Sequence, residues 1–173
     1  MPEPIATSIA RLRERQREAH RFDEWARPER PESAVHDFTP DAPPGLLLLE
    51  ARPHVTDYHA LRVTRYVFAE HGGEREAGTV VEAIVAECES SELARESILD
   101  VLASLSANML TRREQAEEAV GDITFAPPMT ESPYVLFARR NVMVQVMSIG
   151  GVDVPVLTVA QALDSQILDP AVP

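Results

Sequence analysis

Near the N-terminus the apolar positions follow helical spacing. Ile5, Ile9, Leu12, Gln16, Ala19 and Phe22 trace a narrow stripe between charged flanks, which predicts a helix from Ile5 to about Ala26. Thr7 or Ser8 stands where it could cap the start. Gln16 and Ala19 add little apolar area, so such a helix is marginal alone and needs a surface to lie on, in its own domain or in another chain. From Arg27 to Gly45 the pattern breaks. Pro28, Pro31, Pro40, Pro43 and Pro44 crowd into this stretch, a density that neither a helix nor a central strand tolerates, so an extended linker is expected. Residues 1–45 therefore read as a helical arm with a Pro-rich tether, and 46–173 as a single domain.

Within the body, Leu46 to Leu49 is a short apolar run with the character of a buried strand. Leu61 to Ala69 alternates loosely, and His71-Gly72-Gly73 marks a turn. Thr79 to Cys88 is rich in valine and reads as a buried strand, with a helix as the alternative. Ser90 or Ser91 then caps a helix whose face carries Ala94, Ile98, Val101, Leu102, Leu105 and Met109. Arg112 to Ala119 extends that helix or forms a second one, and Gly121 stops it. Ile123–Ala126, Tyr134–Ala138 and Val142–Met147 are expected strands, the last two joined at Arg139-Arg140-Asn141. Pro155 opens a closing helix that carries Val156, Val159, Ala160, Leu163 and Ile167.

Two β-β-α-like halves result, at 61–110 and 134–168. The fold class is α+β: a mainly antiparallel sheet with two amphipathic helices on one face, plus the arm. On that arrangement Met143, Gln145 and Met147 lie on a sheet face that needs another cover.

Composition narrows the class. Among 173 residues, 45% hydrophobic and 25% charged match a globular protein rather than a disordered one. No apolar run approaches the ~18–20 residues of a membrane-spanning helix, and no secretory leader is recognisable, so a cytoplasmic location is the expectation. Formal net charge is −12, and all 16 basic residues are arginine, as a GC-rich genome or adaptation of the surface to high salt would produce. Residues 1–30 hold seven arginines against six acids, and the rest is strongly acidic. Phosphate contact needs a positive field, which disfavours a nucleic-acid partner.

Candidate chemistry is sparse. His54, Asp57, His59, His71 and Glu74 form the densest cluster of potential metal ligands, although the spacing of His54 and His59 fits neither one helix face nor one strand face. Cys88, the single cysteine, lies in an apolar segment and reads as a core residue. No GxSxG, HExxH, Walker-type or GxGxxG motif is present. Arg139 and Arg140 at a hairpin tip could grip an anion. Phe22 and Trp25 close the arm helix, and large aromatics are favoured interface anchors. The leading expectation is a non-catalytic accessory or assembly subunit without a cofactor. It would bind a protein partner, or a second copy, through Ile9, Leu12, Phe22 and Trp25 and the Met143/Met147 face. A small-molecule or metal-binding domain built on the cluster near 54–74 is the alternative.

Overall fold

A computed structural model describes residues 5–25, 33–56, 59–70, 78–104, 110–114, 120–129, 131–151 and 153–169. In chain order these form α1 (Ile5–Ala19), β1 (Leu46–Pro53), β2 (Ala60–Glu70), β3 (Val80–Cys88) and α2 (Ser91–Ser104). They are followed by β4 (Thr111–Arg112), β5 (Ile123–Ala126), β6 (Tyr134–Arg139), β7 (Val142–Ser148) and α3 (Leu157–Leu168). The strands make one sheet in the order β1-β2-β3-β7-β6-β5-β4, antiparallel at every step. The α+β class with an antiparallel sheet is therefore what the chain adopts.

The two sheet faces carry different cores. Val81, Ala83 and Val85 of β3 and Val142, Val144 and Val146 of β7 face α3, which contributes Val159, Ala160, Leu163 and Ile167. The intervening Ala86, Cys88 and Met143, with Leu136 and Ala138 of β6, face α2 and its Ala94, Ile98, Leu99 and Leu102. Successive strand residues point to opposite sides, so α2 and α3 cover opposite faces. This corrects the expectation of two helices on one face. It also removes the internal duplication: a two-fold axis exchanging antiparallel β3 and β7 must stand perpendicular to the sheet, and it would keep both helices on the same side.

Burial on both faces also explains Thr79–Cys88. Every residue of β3 is buried, so its pattern is continuous rather than alternating, and its valines suit the pleated backbone. Ser90 caps α2 as expected, its Oγ accepting from the Leu93 amide at 3.2 Å. Thr7 and Ser8, in contrast, lie inside α1 rather than before it. A helix from Arg112 is not formed at its start, because Thr111 and Arg112 pair with Ala126 and Phe125 as β4; residues 115–119 lie outside the described set.

The described stretch 33–44 is extended but anchored. Val35 and Phe38 belong to the α3-side core, and Pro40 and Pro43 are buried. Asn141, at the β6–β7 turn, is itself buried. Its Oδ1 accepts from the Val35 amide at 2.6 Å, while its Nδ2 donates to the carbonyls of Val35 (2.9 Å) and Cys88 (2.8 Å). The Asp41 amide donates to Gln166 on α3 at 2.8 Å. A boundary at residue 45 does not separate two cores.

Candidate partner-binding surfaces

Helix α1 docks on α2 through charge. Arg13 pairs with Glu96 and, at 2.8 Å, with Asp100; Arg17 reaches Glu96 at 2.5 Å. His59, leading into β2, lies 3.6 Å from Asp100. Burial holds the Asp100 carboxyl above its ordinary range, against the opposing pull of Arg13 and His59. Residues 13, 16, 17 and 20 are turned toward the body, while Ile9 and Leu12, nearer the start of α1 on and beside that same side, are open to solvent at 55% and 42% exposure. The far side carries Arg11, Glu14, Arg15 and Glu18, all exposed.

Past α1, Arg21 takes a left-handed conformation (φ 51°) that ends the helix and turns the chain into a short 3-10 helix, Phe22–Glu24. The turn delivers both aromatics inward. Phe22 is 1% and Trp25 2% exposed. Trp25 contacts Phe22 (centroids 4.7 Å) and Phe125 of β5 (5.4 Å), and its Nε1 donates to the His20 carbonyl at 2.8 Å. Arg17 lies 4.1 Å from the centre of the Phe22 ring. The expectation that these aromatics await a foreign surface is thereby overturned: the body carries the complementary patch, made of Phe125, Leu136, Met143 and α2. Met143 is buried beneath that cover, and Met147 is half-buried opposite Tyr134.

The hairpin-tip arginines are likewise engaged within the chain. Arg139 donates to both carboxylate oxygens of Asp164 on α3 (2.7 and 2.8 Å) and to Asp122 (2.9 Å). These acids raise its pKa, Asp164 most of all. The Arg140 amide donates to Asp122 at 2.9 Å, and its guanidinium to the Ile167 carbonyl near the end of α3 at 3.3 Å. Their anion-binding role is replaced by a structural one, joining the tip to α3 as guanidinium forks do. Asp57, His71 and Glu74 lie outside the described residues, and His59 belongs to the α1–α2 seam. No group of three or more His, Cys, Asp or Glu is placed to hold a metal among the described residues. Cys88 is buried beside Ser97 (Sγ to Oγ, 3.7 Å), and burial pushes its pKa up to about 11, which suits a core thiol rather than a nucleophile.

One surface escaped the reading of apolar runs. Leu46–Leu49 is not buried: β1 is the outer strand of the sheet, and Leu47, Leu48 and Leu49 are all exposed. A bulge at Leu49 shifts the register against β2, between Leu48↔Phe68 and Glu50↔Val67. Val55, just beyond the strand, is 95% exposed. The signal lay in the run itself, since four leucines suit an edge as well as a core. Among the described residues no helix is long and apolar enough to cross a membrane.

Compared with known proteins, the chain matches no family model, no curated protein and no solved structure.

Proposed function

We propose that this chain is a non-catalytic accessory subunit that binds a protein partner through the exposed apolar pair Ile9 and Leu12 of α1. The observation that carries this reading is the exposure of two apolar side chains one turn apart near the start of α1, Ile9 at 55% and Leu12 at 42%, on a helix whose later turns are held to α2 by ion pairs. An apolar stripe on an exposed helix fits a groove on another protein, where residues at i and i+3 act as anchors. Arg15, also exposed, lies one turn on from Leu12, so the matching groove has an apolar floor with an acid beside it. Relative to the expectation from the sequence, the arm keeps its binding role while Phe22 and Trp25 become the anchor that holds it in place.

The test is quantitative capture by the full chain compared with Ile9→Glu/Leu12→Glu. Both side chains are exposed, so the variant keeps its circular dichroism and melting temperature. The wild type is expected to retain a partner in stoichiometric amount and the variant to lose it. Identical retained proteins for both baits would reject the reading.

A further inference from the structure

We infer that β1 is the contact through which two copies of this chain pair, edge to edge and antiparallel, about a two-fold axis at Ala51. This goes beyond the proposed role of α1 and does not depend on it.

The hydrogen-bonding geometry selects Ala51. The His54 amide donates inward to the Val63 carbonyl, so by the alternation of an antiparallel ladder Arg52 and Glu50 also turn their backbone groups toward β2. Ala51 and Pro53 then turn theirs away from the sheet. Pro53 has no amide to offer, while Ala51 presents both a donor and an acceptor. An Ala51–Ala51 pair across a two-fold axis exchanges two N–H···O bonds. The bulge at Leu49 and the missing donor at Pro53 stop the new ladder on either side and fix its register.

Charge and shape fit the same register. Glu50 of one copy falls opposite Arg52 of the other, and the reverse, on the same sheet face. Within one chain Arg52 lies 2.9 Å from Glu50 and remains largely exposed. From Leu46 to Val55 the only Asp, Glu, Lys or Arg are this acid and this base, so their charges cancel locally in a chain of net charge −12. Two like-charged molecules meet there with little repulsion. Leu47, Leu48 and Leu49 of each copy run beside Pro53, His54 and Val55 of the other, covering apolar groups that now face water.

Closure follows from the opposite edge. There β4 is only two residues long, too short to offer a second ladder, so pairing through β1 ends at a dimer rather than a filament.

Sedimentation equilibrium of the full chain, from low micromolar to several hundred micromolar, tests this. The wild type is expected to be a dimer. Arg52→Glu places like charges opposite each other twice and raises the dissociation constant by about tenfold or more. The exchange Glu50→Arg/Arg52→Glu restores dimerisation, with Arg65 keeping Glu82 as its partner. Circular dichroism melts establish that each variant is folded. A wild type that stays monomeric overturns the inference, as does an Arg52→Glu dimer of undiminished affinity or a folded exchange variant that stays monomeric. Ile9→Glu/Leu12→Glu leaves the dimer intact, so loss of partner capture and loss of self-pairing are read separately.

Discussion

Replacing Trp25 by alanine separates an arm that belongs to the body from one that waits for a partner. The indole buries roughly 200 Å² against Phe22, Phe125 and α2, which at about 25 cal/mol per Å² is worth about 5 kcal/mol as an upper bound. Residual structure in the unfolded chain lowers this by roughly 10–40%. The cavity left behind acts in the other direction, and buried Trp→Ala changes cost about 3–5 kcal/mol in practice. The bond from Nε1 to the His20 carbonyl is lost as well, although that carbonyl can recover water once the ring is gone. Trp25→Ala is therefore expected to lower stability by about 3–5 kcal/mol, a large share of the roughly 5–15 kcal/mol that holds a domain folded.

The assay is urea unfolding followed by far-ultraviolet circular dichroism, because Trp25 is the only tryptophan and the variant has no fluorescent indole. The midpoint should fall while the slope on urea is preserved, the signature of lost packing in one cooperative unit. If instead helical signal equivalent to α1 melts early while the main transition stays in place, the arm is an independent unit and the shared core is not what stabilises the body. A variant within about 1 kcal/mol of wild type would refute the burial of Trp25 outright.

Two further outcomes follow from local geometry. Gly121 and Gly45 both adopt positive φ, at 73° and 81°, but a Cβ at Gly121 would collide with the Ala138 carbonyl oxygen and approach Phe137 Cδ2 to 2.9 Å, whereas one at Gly45 meets nothing. Thermal unfolding should show Gly45→Ala costing the roughly 1–2 kcal/mol of a left-handed alanine, and Gly121→Ala at least twice as much. His20, stacked edge-on to Phe125 at 5.0 Å, has its pKa lowered by burial from the ordinary 6.5. The unfolded chain thus binds this proton more readily, and stability falls as pH drops below about 6.5 and through the lower folded value. His20→Phe, which keeps the ring, should flatten the stability curve between about pH 7 and 5 relative to wild type, and parallel curves would remove His20 from the account.

Most strands were legible because β-branched residues and turn signals are local: β2, β5, β6 and β7 lie close to where their alternation placed them. What was not legible was the order of the strands. Period-two alternation in Val142–Met147 distinguishes two faces, but nothing in those residues says which helix covers which. The same gap produced the error at Leu46–Leu49, since burial of a leucine run depends on whether its strand ends at the edge of the sheet, a fact set by distant pairings. Trp25, expected from the sequence at a partner surface, is buried against its own body. The arm's own composition is silent on whether Phe125, Leu136 and Met143 will converge to receive it.

The docking of α1 divides between its ion pairs to α2 and the aromatics that follow it. The ion pairs between Arg13, Arg17, Glu96 and Asp100 are partly solvated, and such pairs contribute about 1 kcal/mol or less each. Even together they scarcely match the buried aromatics that follow the helix. Phe22 and Trp25 therefore set where the arm lies, and the ion pairs set only how the helix is rotated about its axis. Ile9 lies one turn before Arg13 on the same side of the helix, so its exposure is not that of a face turned away from the body. On the proposed reading α1 meets its partner already oriented, so binding would not have to supply the ordering cost that an unanchored arm imposes.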